Sequence, residues 1–192
     1  MNKMKIVFVS LIVLFLFSSS QAGLAKYTLK GNKELSTIGS IAFFSQNVNG
    51  HKVADGTNLF LGINLGFFVV DKLELEPGII LLTSTINYET GHSETETHFG
   101  GIFALSYNFD TGNPAVPFIF GRIGFLTNSI TDQTDLKTSM ILPDVGGGIK
   151  FFISPKAALR TEIYYNHMTN LLGEKDWNQN LYGIRAGLSV LF

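Results

Sequence analysis

The stretch from Leu181 to Phe192 constrains this chain more than any other. Tyr182, Ile184, Ala186, Leu188, Val190 and Phe192 alternate there with Gly183, Arg185, Gly187 and Ser189. Successive side chains of a strand point to opposite faces, so the segment is a strand with one oily face and one small or polar face. It finishes on an aromatic ring. A ring in that place suits a strand set in lipid, where aromatics collect at the boundary with water.

Eight segments share this alternation: Leu35–Ser45, Thr57–Val70, Leu73–Asn87, Glu96–Phe109, Pro117–Ser129, Ser139–Ile153, Ala157–Met168 and Leu181–Phe192. None carries a helical period of useful length. The connectors alternate too. Val70–Lys72, Asp110–Val116 and Ser154–Lys156 are short and hold turn-forming Asp, Gly, Asn and Pro. Gln46–Gly56, Tyr88–Thr95, Ile130–Thr138 and Thr169–Asn180 are longer and polar. Short turns on one rim and long loops on the other are the layout of an up-and-down membrane barrel.

Alternation alone leaves open which face looks outward, since a soluble barrel has the same period. Composition decides it. Charged residues make up only 15% of the chain, and the polar faces of the second and fourth segments hold mostly Gly, Ala, Ser and Asn. A water-facing exterior needs more charge than that. The oily faces place Phe67, Phe109, Phe151 and Phe192 at the short-turn rim, and Phe99, Phe125, Tyr165 and Tyr182 near the other. Two aromatic girdles mark two lipid–water interfaces. In hydrocarbon every backbone donor and acceptor needs a partner, so the sheet must close. The expected fold is an all-β, eight-stranded antiparallel up-and-down transmembrane β-barrel. Pro77 and Pro143 each remove a ladder donor inside a strand, which predicts a bulge or distortion. In the first segment Ile38 and Phe44 compete with Ile41 and Phe43 for the outer face, so its register stays open.

The beginning of the sequence carries an address. Lys3 and Lys5 precede a run from Ile6 to Phe17 that is apolar but for Ser10, followed by Ser18, Ser19, Ser20, Gln21 and Ala22. This is the layout of a cleaved secretory signal peptide, and its 11 apolar residues fall short of the ~20 needed for a spanning helix. Cleavage after Ala22, or alternatively after Ala25, gives a signal over 1–22 and a barrel domain over 23–192. Losing Lys3 and Lys5 leaves 12 basic residues against 15 acidic ones, a net charge of −3. No basic stripe exists for nucleic acid. The chain has no Cys, so it can hold no disulfide and no lipid-modified cysteine.

With the oily face outward, Glu74, Glu76, Arg122, Asp144, Lys150, Arg160, Glu162 and Arg185 fall on the lumen side. Charges confined in a narrow barrel should pair in one hydrogen-bonded network. Eight strands leave an interior that side chains fill, which favours a structural plug over a narrow pore. An ion channel would favour charges of one sign.

The segment Arg185-x-Gly187-x-x-Val190-x-Phe192 resembles the closing signature of the small outer-membrane β-barrel family, which includes OmpX-like, OmpA transmembrane-domain and opacity-type proteins. Gly146 to Lys156 resembles a strand–turn–strand of the same family. The resemblance covers nearly all of the mature chain as a pattern. It implies residence in the outer membrane of a Gram-negative-type bacterium, contact with outer-membrane lipids, and recognition of Arg185, Gly187, Val190 and Phe192 by the barrel-assembly machinery. It says little about activity, because one fold hosts many functions.

Three readings of function follow. The first is a non-enzymatic platform whose four outer loops meet envelope lipids, other cells or an extracellular ligand, or else stabilise the envelope. His51 and Lys52 in the first loop and Lys175, Asp176 and Trp177 in the last are its contact candidates. The second is a hydrolase. His167-Met168-Thr169-Asn170 is similar to the His-x-Ser-Asn motif of the lipid A deacylase barrels, which implies His167 as base, Thr169 as nucleophile and Asn170 at the oxyanion. Thr169 replaces the family's Ser, and Leu181 stands where its orienting Glu falls. The third is divalent-metal binding by His92, Glu94, Glu96 and His98, which share one face if the segment is extended. A solvated polar loop is the favoured account of that pattern, since one flexible loop rarely preorganises three convergent ligands, and nothing else in the sequence points to a cofactor.

Overall fold

The computed structural model describes residues 28–48, 51–88, 90–128, 139–170 and 178–192. The expected signal peptide, the third outer loop, and Lys175, Asp176 and Trp177 lie outside the described residues. Eight strands, β1 (Lys33–Val48), β2 (His51–Val70), β3 (Leu73–Tyr88), β4 (Ser93–Asn108), β5 (Ala115–Asn128), β6 (Ser139–Ser154), β7 (Ala157–Asn170) and β8 (Asn178–Leu191), pair antiparallel in chain order. β8 returns to β1 and closes the barrel. Strands of 14 to 20 residues exceed the roughly 9–11 that a tilted strand needs to span a bilayer. The barrel therefore stands proud of the membrane.

Burial follows the period of two. On β4, Ile102, Ala104, Ser106 and Asn108 are buried while Phe103, Leu105 and Tyr107 are exposed. The same outward phase exposes Ile41, Ile63, Ile119, Ile163, Ile184 and Phe192 on other strands. An apolar belt of this extent cannot face water, and a membrane is the medium that suits it. Phe99, Phe125, Tyr165 and Tyr182 are exposed on its outer edge, Phe109 and Phe192 on its inner edge.

Three sequence expectations change in detail. β1 runs to Val48 and β2 starts at His51, so the segment read as a long first loop is largely strand, with a register shift between Gln46 and Asn47. β4 likewise begins at Ser93. Its residues there are polar but β-branched, and they pair as a water-exposed extension of the hairpin: Thr83 with Thr97 at 3.3 Å and Thr85 with Thr95 at 3.2 Å between hydroxyls. Tyr88 caps that hairpin. Its hydroxyl donates to Glu94 Oε2 at 3.2 Å, which raises its pKa above the ordinary phenol value. The prolines interrupt rather than shift the ladder. No β2–β3 pairing is recorded opposite Pro77 and no β6–β7 pairing opposite Pro143, yet the register is unchanged on either side. In β1, Ile38 points inward while Ile41 and Phe43 point outward.

The interior is layered. At the short-turn end Val116, Phe152, Ala158 and Leu191 form an apolar floor. Charged residues occupy the middle. Above them Ile38, Phe60, Ile80, Leu82, Ile102, Leu126 and Leu142 form a second apolar layer, against which Leu181 packs.

Candidate functional site

The charged layer is built by strands that each turn alternate residues inward. Glu74 and Glu76 come from β3, Arg122 from β5, Asp144 and Lys150 from β6, Arg160 and Glu162 from β7, and Arg185 from β8. All eight are at most 4% exposed. Glu34 of β1 joins them and is 1% exposed. Sequence reasoning missed it because the apolar alternation of β1 starts at Leu35. The phase Glu34-x-Ser36-x-Ile38 was the available signal.

The nine form one network. Lys150 Nζ donates to Glu34 Oε2 at 2.6 Å and to Glu74 Oε2 at 2.7 Å. Arg160 takes Glu76 in a two-pronged grip, at 2.7 and 3.1 Å, and donates from Nε to Glu162 Oε1 at 2.9 Å. Arg122 bridges Glu162 at 3.0 Å and Asp144 at 3.1 Å, and Arg185 also holds Asp144. Ser106 donates to Glu76. Fork-shaped guanidinium groups fit such a layer because each satisfies two carboxylates at fixed geometry.

Aromatic rings frame the cations. Arg160 lies 4.7 Å from the Phe118 centroid, Arg122 4.5 Å from Phe120, and Arg185 3.6 Å from Tyr164 and 4.3 Å from Phe60. Phe118 and Phe120 stand opposite Gly148 and Gly146 of β6, and the absent side chains give the rings room. These aromatics were also missed, since inward parity marks them but nothing in the sequence says which cation they face.

The outer rim carries the hydrolase candidate. His167 projects on the lipid side of β7, and its Nδ1 hydrogen-bonds Asn180 Oδ1 of β8 at 2.7 Å. Tyr165 donates to the same oxygen at 2.8 Å. Asn180 is paired directly with His167, whereas Leu181 packs inward. Thr169 and Asn170 continue the backbone of β7, but their side chains lie outside the described residues.

The metal candidates separate into two pairs. His92 Nε2 meets Glu94 Oε1 at 3.2 Å, and His98 Nε2 meets Glu96 Oε2 at 3.5 Å. Among the described residues no three metal-ligating side chains converge. His51 and Lys52 fall within β2, with side chains outside the described residues. Arg185, Gly187 and Val190 lie in β8, with Phe192 just beyond its end. Phe192 exchanges backbone hydrogen bonds with Lys33 at 3.0 and 3.2 Å.

No protein-family model matches the chain, and no curated protein matches its sequence. Among solved structures it is similar to neisserial surface protein A, with a TM-score of 0.57 at 14% identity over 85% of this chain and 98% of that one. It is also similar to the outer membrane protein OprG of Pseudomonas aeruginosa, with a TM-score of 0.50 at 12% identity over 88% and 99%. The likeness is one of fold, and the fold is that of the small outer-membrane β-barrels.

Proposed function

We propose that this chain is a plugged barrel of the bacterial outer membrane, exported through a signal peptide, whose protruding outer hairpins do its work by contact. The observation that carries this reading is the layered interior. An ionic layer in which every charged side chain meets an opposite charge lies between an apolar floor and an apolar upper layer, so the axis offers no wet path for a solute. With the lumen closed, the strand extensions beyond the outer girdle are the water-facing parts left to engage a partner. The test replaces the Asn87–Ser93 tip by a tight Asn-Gly turn and scores surface adhesion and envelope integrity in cells. This reading expects loss of one or both with the barrel still folded; undiminished performance would reject it.

One contact supports a second reading, an acyl hydrolase at the membrane surface. His167 is held through Nδ1 by Asn180, with no partner for Nε2 among the described residues, on the face where acyl chains lie. Release of fatty acid from lipid A, compared between wild type and His167→Ala, tests it. Equal rates would eliminate it.

A further inference from the structure

One junction of the barrel is paired over only part of its length. β1 pairs with β2 over sixteen residue pairs and β7 with β8 over thirteen, whereas β1 and β8 pair over six, from Glu34–Leu191 to Gly39–Ala186. Both strands run on outward, β1 to Val48 and β8 back to Asn178. Six pairs rise about 15 Å for tilted strands, against an apolar belt about 25 Å tall, so two strand edges part within hydrocarbon. Lys33 and Phe192 exchange backbone hydrogen bonds across the junction, and alternate residues counted from that pair turn their backbone groups toward it. Beyond the ladder these are Ile41 and Phe43 of β1, and Ile184 and Tyr182 of β8.

Acyl chains cannot satisfy such groups, because they offer neither donor nor acceptor. What covers a free edge in the membrane is another extended backbone. Closed barrels of other kinds have no edge to give. A second copy of this chain has two, and they are complementary. β1 runs toward the outer rim and β8 away from it. A two-fold axis along the membrane normal therefore sets β1 of each copy antiparallel to β8 of the other, at both junctions. Continuing the register pairs Ile41 with Ile184 of the second copy, and Phe43 with its Tyr182. Phe43 and Tyr182, at 81 and 83%, are the most exposed large apolar side chains among the described residues. Ile41 and Ile184 follow at 63 and 70%. The pairing thus sets two rings against each other and covers the barest part of the oily belt.

From this complementarity we infer that the chain forms a two-fold dimer in the membrane, joined by the free outer edges of β1 and β8. The inner part of each barrel stays closed on itself through its own six pairs, and the outer parts pair between copies. Each edge is held in place from behind. β1 stays on β2, while Arg185 of β8 reaches in to Asp144 between the rings of Tyr164 and Phe60. The interface uses neither the lumen charges nor the tips of the outer hairpins, so it stands whether or not those hairpins meet a partner.

The test exploits the absence of cysteine from the chain. Full-length mature Ile41→Cys and Ile184→Cys proteins, refolded separately and mixed in proteoliposomes, should form a disulfide-linked dimer on mild oxidation. Its yield should be at least tenfold that from Ile41→Cys mixed with Ile123→Cys, whose cysteine lies on β5 across the barrel. The double variant Ile41→Cys/Ile184→Cys, held at one barrel per nanodisc, should stay reduced under the same conditions. In such discs the wild-type amides of Ile41, Phe43, Tyr182 and Ile184 should exchange freely, and two barrels per disc should slow them several-fold. Ile41→Pro deletes an N–H that faces the junction and leaves the β1–β2 ladder whole. Placed in a Phe43→Cys chain, it should lower cross-linking to Tyr182→Cys several-fold, with heat-modifiable gel mobility reporting a folded barrel. Cross-linking between copies no better than the β5 control, or indifferent to the proline, would overturn the inference. So would a disulfide that forms equally well within single barrels, since the junction would then close on itself.

Discussion

Gly148 shows how much rests on single atoms in the lumen. A Cβ there would come 2.7 Å from Phe118 Cζ and would also strike the Thr161 carbonyl. Phe118 cannot retreat, because Arg160 lies over its ring. Gly148→Ala should therefore cost about 1–3 kcal/mol of folding free energy, measured by urea unfolding in lipid. Gly101, whose Cβ would meet open space, supplies the contrast. Gly101→Ala should be nearly neutral, and equal losses at both positions would contradict the packing described. The ionic layer makes a second demand. Arg160→Met strands Glu76 without its guanidinium, leaves Glu162 to Arg122, and should destabilise by about 3–5 kcal/mol, whereas Arg160→Met with Glu76→Met should recover part of that loss. The eight charges on segments with clear alternation were legible because their parity was opposite to the oily face. Glu34 was not, because it precedes the first apolar residue of its strand, and the hydrophobic pattern has nothing to show at a polar start.

At the scale of elements, alternation located every strand, but it placed the outer strand ends too low. Oily residues stop at the membrane surface, whereas pairing continues through Thr83, Thr85, Thr95 and Thr97, whose branched side chains keep the backbone extended in water. A hydrophobic pattern reports the medium around a strand and not the strand's length. Pairing between the first and last strands was invisible for a different reason. It joins residues at opposite ends of the chain, and neither segment records how far the other accompanies it. The short β1–β8 ladder predicts uneven protection. By hydrogen exchange in lipid, amides of Leu35–Gly39 and Ala186–Val190 should exchange slowly, and those of Ile41, Phe43, Tyr182 and Ile184, whose N–H groups face the other strand of this pair, markedly faster. Uniform protection along both strands would mean that the ladder is complete.

For the whole molecule, the layered interior makes conduction the discriminating property. In planar bilayers the folded barrel should show no steady ion conductance, since ions would have to cross two apolar layers and a charge layer that is already paired. The central claim is orientation: oily side chains face lipid and ionic ones are enclosed. Nitroxides placed one at a time on cysteines from Gly101 to Tyr107 of β4, in bilayers, test it most directly. Collision with lipid-dissolved oxygen should rise at 101, 103, 105 and 107 and fall at 102, 104 and 106. The opposite phase, or no period of two, would contradict the account.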